Sequence, residues 1–198
     1  MTKTIAITGG IGSGKSTFSN EVIKRKYKLM DSDKEVSNIY KKPTKDFLNY
    51  LIKIGLGNSI KKNNIDKKTI REKVFTNKTI KLKLEKYIFK IIRQNREKFI
   101  KKGIKNKTKF LFFDIPLLFE NNINENFDLV ISIISKKKLR FERLKKSKNY
   151  SKNIFNQIVK SQTSDLVRRR DSDIIVLNNS NMKEYVIKIN MVLDKITK

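Results

Sequence analysis

Near the start of the chain, Gly9-Gly10-Ile11-Gly12-Ser13-Gly14-Lys15-Ser16 directly follows the short apolar run Thr4-Ile5-Ala6-Ile7-Thr8. The glycine segment matches G-x-x-x-x-G-K-[ST] at Gly9, Gly14, Lys15 and Ser16. This pattern demands a strand going in, a tight turn, and a helix coming out. The glycines let the backbone curl around an anion, so that N–H groups of Gly10, Ile11, Gly12, Ser13 and Gly14 point inward. The helix N-terminus adds a favourable partial charge. Lys15 is then placed to reach β- and γ-phosphates, and the Ser16 hydroxyl to ligate Mg²⁺. The dinucleotide fingerprint fails, because Gly10-Ile11-Gly12 would need a glycine where Lys15 stands. The loop alone points to nucleotide phosphate and leaves kinase, ATPase and GTPase open.

The rest of the chain supplies the fold class. Thr4–Thr8, Tyr27–Asp31, Phe110–Asp114, Leu129–Ile133 and Ile174–Leu177 read as strands. Helices are expected from Lys15 to about Lys26, from Lys34 to about Lys102, from Lys136 to about Thr163, and from Met182 to Ile196. In the long second stretch Leu48, Leu51, Ile52, then Ile70, Val74, then Leu84, Tyr87, Ile88, Ile91 and Ile92 recur on one helical face. Pro43 and Gly55-Leu56-Gly57-Asn58 interrupt it. Apolar strands alternating with helices predict an α/β fold, with a five-stranded parallel sheet covered on both faces and right-handed crossovers.

Composition narrows the chemistry. The 198 residues suit one compact domain, with small lobes inserted. Neither cysteine nor histidine occurs, which excludes disulfides, thiolate or imidazole metal sites, and a cysteine nucleophile or histidine base. The apolar start is too short for a signal peptide, and no run approaches the ~18 residues of a membrane span. A cytoplasmic protein without membrane contact is expected. The net charge of +28 invites a nucleic-acid reading. Lysine, isoleucine and asparagine are all abundant, however, and all have AT-rich codons. The lysines are also spread along the whole chain, so no specific nucleic-acid site is expected.

Phosphoryl transfer needs an in-line nucleophile, charge stabilisation and often a base. Without histidine the base has to be a carboxylate. Asp31 and Asp33 end the second strand, where doubly wound sheets hold their ligands. On an extended chain they would point the same way. The competing reading is a helix cap by Ser32 or Asp33. Asp114 closes an apolar strand in the Walker-B form, close to where Mg²⁺ would lie, or else simply caps that strand. Arg140 and Arg143 share a helix face. With Arg168-Arg169-Arg170 they could grip phosphate bidentately or form a solvated basic face.

Taken in order along nearly the whole chain, these segments resemble the dephospho-CoA kinase family. The resemblance runs through the loop from Ile7 to Thr17, Asp31-Ser32-Asp33, Ile70-Arg71-Glu72-Lys73-Val74-Phe75 and Asp114-Ile115-Pro116-Leu117-Leu118-Phe119-Glu120. It ends on Gln162, Ser172-Asp173 and Asn178. The resemblance implies a three-layer P-loop kinase fold with a helical substrate lobe and a lid. The core would be about 1–33, 104–135 and 172–198, the acceptor lobe about 34–103, and the lid about 136–171. It implies transfer of the γ-phosphoryl of ATP, with Mg²⁺, to the ribose 3′-hydroxyl of dephospho-CoA, the last step of coenzyme A synthesis. Asp33 would orient or deprotonate that hydroxyl. Lys15 and the loop amides would hold phosphates, Ser16 or Thr17 and Asp114 would serve Mg²⁺, and Arg140, Arg143 and Asn178 would lie on the ATP side. Asp31, Arg71, Pro116 and Leu117 would lie by the acceptor. The rival readings are another small-molecule or nucleotide kinase of this fold, or a nucleic-acid-stimulated ATPase. A monomer or small homo-oligomer is expected. Three positions depart from the family pattern. Phe89-Lys90 stand where His-Pro is usual, Ser147 where an arginine is usual in the lid, and Arg170-Asp171-Ser172-Asp173 replaces a more apolar run.

Overall fold

The computed structural model of the chain describes residues 1–62, 64–145 and 151–198. In chain order the elements are β1 (Lys3–Gly9), α1 (Lys15–Lys24), β2 (Lys28–Asp31), α2 (Ser32–Lys41) and α3 (Lys45–Lys53). A short hairpin, β3 (Ile60–Lys61) and β4 (Asn64–Ile65), precedes α4 (Lys67–Thr76) and α5 (Lys78–Lys105). Then come β5 (Phe110–Asp114), β6 (Leu129–Ile134), α6 (Lys137–Leu144), α7 (Lys152–Ser161), α8 (Asp165–Asp171), β7 (Ile174–Leu177) and α9 (Met182–Thr197).

The main sheet has five strands in the order β2-β5-β1-β6-β7, and every neighbouring pair is parallel. These strands are the five apolar runs of the sequence. Both faces are covered, so the strands read as nearly continuous apolar runs without alternation. On one face Ile5, Ile7, Phe112, Ile131, Ile133 and Val176 pack with Phe18 and Val22 of α1 and Tyr185, Ile189 and Leu193 of α9. On the other, the C-terminal end of α5 lies close to β5, where a Cβ on Gly103 would meet Leu111 Cδ1 at 2.5 Å. At the end of α8, Ser172 Oγ donates to Ser132 Oγ of β6 at 2.7 Å.

The chain divides into two compact units, Met1–Asp31 with Ile100–Lys198, and Ser32–Phe99. The expected acceptor lobe (34–103) differs from the second unit by a few residues at each end, and the described part of the expected lid (136–171) lies in the first. The second unit has a core of its own, built from Phe47, Leu51, Ile54, Leu56, Ile70, Leu84 and Ile88. Its helical stretch is four helices rather than one interrupted run, because a polar side chain caps nearly every break. Thr44 accepts from Phe47 N–H at 3.2 Å, Asp66 from Lys68 N–H at 3.0 Å, and Asn77 from Ile80 N–H at 3.0 Å. Tyr40 packs edge-on to Phe47, and burial pushes its phenol up to about 12.

One carboxylate at the start of β6 carries a testable pH dependence. Asp128 Oδ2 accepts from both the N–H and the hydroxyl of Thr4 at 2.7 Å, pinning β1 where β6 begins. These bonds favour the ionised form, so its pKa is lowered. A depressed carboxyl adds stability that is present above its unfolded value of about 4 and is lost as pH falls through the folded value. Asp128→Asn is expected to flatten that acid limb in chemical denaturation between about pH 5 and pH 3. An unchanged limb would remove Asp128 as its source.

Candidate functional site

The glycine loop leaves β1 at the sheet centre. The connection after β1 runs toward β2, whereas the one after β5 crosses to β6 on the other side. Such a reversal opens a crevice at the carboxyl ends of the strands. Gly14 has φ 101, a left-handed conformation that disfavours side chains, and a Cβ there would also strike Asn178 Nδ2 at 2.2 Å. Lys15 then opens α1. Ser16 is exposed at this helix start, whereas Ser13 is buried.

Asp114 is the centre of the charge arrangement. It is 4% exposed and ends β5. The Lys15 ammonium is ion-paired with Asp114 Oδ1, and Ser19 Oγ donates to Oδ2 at 2.6 Å. Asp31 is paired in register with Asp114 across β2 and β5. Aligned residues of parallel strands face the same side of the sheet, so two carboxylates share the end of the crevice. The extended reading of Asp31-Ser32-Asp33 needs correction. The strand stops at Asp31 and α2 begins at Ser32, which puts Asp33 and Glu35 in its first turn. Acids there complement the helix dipole, and that outweighs continuing the strand.

A second set of side chains braces the loop's carbonyl groups. Arg143 Nη1 donates to Gly12 O at 3.1 Å and to Ser135 Oγ at 3.0 Å, while Nη2 donates to Asn178 O and Oδ1 at 2.9 and 3.1 Å. Asn178 Nδ2 donates to Ser13 O at 2.8 Å, and the Tyr185 hydroxyl to Gly14 O at 3.1 Å. Burial raises the Tyr185 pKa, which keeps the phenol a donor. Arg140 is 4% exposed and pairs with Asp165 at 3.6 Å. Burial lowers its pKa, an effect that Asp165 opposes. Its Nη1 lies so close to Gly10 that a Cβ there would come within 2.4 Å. Both arginines therefore lie against the loop itself, with Arg143 on its carbonyl oxygens.

Pro116 and Leu117 form the turn after β5, where Thr8 Oγ donates to Pro116 O at 3.4 Å and Leu117 is exposed. Arg71 is exposed on α4 of the second unit, and Phe89 and Lys90 are exposed on α5. Ser147 lies outside the described residues. Sequence reasoning missed Ser19, although it stands four residues after Lys15 on the same face of α1. It also gave no role to Gln162, whose Oε1 accepts from Ile11 N–H at 2.9 Å.

Among the described residues no group of three or more acids could by itself hold a metal. The donors present are a serine hydroxyl and carboxylates. That suits Mg²⁺, which takes one or two protein oxygens and completes its shell with water and substrate phosphate. No helix among the described residues is long and apolar enough to cross a membrane.

The dephospho-CoA kinase family model matches residues 3–184. A dephospho-CoA kinase of Fusobacterium nucleatum is 36% identical over 188 residues, covering 93% of this chain and 94% of that protein. The solved dephospho-CoA kinase of Campylobacter jejuni superposes with a TM-score of 0.77 at 27% identity, over 99% of this chain and 98% of that one. A Thermus thermophilus crystal structure shares the fold, with a TM-score of 0.81 at 19% identity over 100% of this chain and 99% of that one.

Proposed function

Because the chain belongs to the dephospho-CoA kinase family, we propose that it transfers the γ-phosphoryl of ATP to the ribose 3′-hydroxyl of dephospho-CoA, giving coenzyme A. The observation that carries this reading is the Lys15–Asp114 pair beneath the loop, followed directly by the Pro116-Leu117 turn of the family motif.

Each residue then has a role that its chemistry supports. The loop amides, apart from the Ile11 N–H that Gln162 takes and the Ser13 N–H that bonds Gly10 O, and the Lys15 ammonium bind the donor phosphates and stabilise charge that spreads over the transferring group. Ser16 and Asp114, with Thr17 beside them, would hold Mg²⁺, which would neutralise phosphate charge. Asp31 accepts from water or the acceptor near Asp114. Asp33 orients the 3′-hydroxyl and takes its proton, a task left to a carboxylate in a chain without histidine. Arg140, Arg143 and Asn178 shape the loop on the ATP side, and Arg71, Pro116 and Leu117 contact the acceptor. We place the protein in the cytoplasm, as a monomer or small homo-oligomer.

The test is purified protein with ATP, Mg²⁺ and dephospho-CoA, followed by coupled ADP release and by chromatography of the product. ADP release that depends on the acceptor, with coenzyme A as product, is expected. ADP formed only with a different acceptor, or stimulated only by DNA or RNA, would overturn the proposal.

A further inference from the structure

The glycine loop is fastened to a distant part of the chain through a neutral side chain. Gln162 follows α7 in an extended conformation, φ −95 and ψ 152. Its Oε1 reaches 151 residues back to accept from Ile11 N–H, in the middle of the loop. A side-chain amide can fix that N–H without placing negative charge beside bound phosphates, which a carboxylate would repel. The packing is close. A Cβ on Gly10 would meet Arg140 Nη1 at 2.4 Å and Gln162 Oε1 at 3.4 Å.

Gln162 is itself clamped at the next residue. Thr163 N–H donates to Glu120 Oε1 at 2.6 Å, and the Arg168 Nη1 bonds Thr163 O. Arg168 is 1% exposed. It also donates to Asp165 Oδ1 at 3.1 Å, and Nη2 to Glu120 Oε1 at 3.5 Å. Both polar groups of the Thr163 backbone are thus held by one ion pair, whose arginine is buried and whose glutamate is partly buried. Glu120 lies within the turn that follows β5, and Asp165 is shared with Arg140 at the loop. One network therefore joins the turn after β5 to the loop after β1.

We propose that Gln162 is a positioning residue for the glycine loop, held by Glu120 and Arg168, so that the turn after Asp114 sets the loop geometry that receives the triphosphate. This inference rests on the reading that the loop binds the phosphates of ATP.

The test measures ATP affinity by calorimetry, and KM for ATP and for dephospho-CoA separately, in Gln162→Ala, Glu120→Gln and the double variant, each with its Tm. Gln162→Ala weakens ATP binding and raises KM for ATP by about tenfold, the scale of one well-placed hydrogen bond, while KM for dephospho-CoA stays within about twofold. Glu120→Gln raises KM for ATP by a smaller factor and adds nothing in the Gln162→Ala background, because it acts through Gln162. ATP affinity within about twofold of wild type in folded Gln162→Ala overturns the proposal, and so does an additive double variant. Wild-type protein that binds ATP but releases no acceptor-dependent ADP defeats the functional reading alone. The calorimetric comparison still decides the role of Gln162.

Discussion

Lys15→Met lowers kcat/KM by about 10³ or more, the largest loss expected from any single substitution in this chain. The lysine combines two functions. Its ammonium is the cation placed by the loop motif to reach the β- and γ-phosphates, and it is ion-paired with the buried Asp114. Methionine keeps the length and apolar stem of the side chain but removes the charge. Asp114 keeps the Ser19 hydroxyl but loses its cation, and stability falls by about 3 kcal/mol, as expected for a buried carboxylate that loses its partner. The two effects separate in Lys15→Met/Asp114→Asn. Neutralising the carboxylate restores denaturant stability without restoring turnover. A single variant that stays within tenfold of wild-type kcat/KM would remove Lys15 from the mechanism.

Asp33→Asn reduces kcat by about 10², the scale on which a general base contributes. The substitution preserves size and removes the negative charge and with it the ability to accept a proton. Asp33 is exposed in the first turn of α2, where a negative charge adds about 0.3–1 kcal/mol against the helix dipole. The Tm of the variant, measured beside kcat, separates a loss of folding from a loss of chemistry. KM for ATP should move by less than about twofold, since the amides and Lys15 hold the donor. A fall in kcat with ATP binding intact assigns Asp33 to the acceptor hydroxyl. An unchanged kcat would leave it a helix-terminal acid.

The sequence made the sheet and the loop legible for a physical reason. Strands buried on both faces must be apolar throughout, as in Phe110-Leu111-Phe112-Phe113, and such runs stand out in a lysine-rich chain. The end of β2 was less legible. Asp31-Ser32-Asp33 suits an extended chain by alternation and a helix start by capping, and composition alone does not choose between them. The β3–β4 hairpin is too short for any period to register. The break at Asn77 and the start of α8 at Ser164 depend on single capping side chains, which look like ordinary polar residues in a helical run. Arg168 lies in an Arg-Arg-Arg string that resembles a solvated face. Its burial becomes evident only when Glu120, 48 residues earlier, is brought beside it. Gln162 matched the family pattern, but its contact with Ile11 depends on tertiary structure.

The strand order also governs when the protein can become itself during synthesis. β1 is central, and both of its partners, β5 and β6, begin more than a hundred residues later. Until Asp114 has left the ribosome, β1 and the nascent glycine loop have no neighbour with which to pair. Residues 32–99, in contrast, carry a contiguous apolar core and can condense while the sheet is still being made. Closing the sheet then has to bridge a long stretch of chain, an entropic cost that slows the step. The apolar β1 segment, which makes the loop recognisable in the sequence, is also the part of the nascent chain that stays exposed longest.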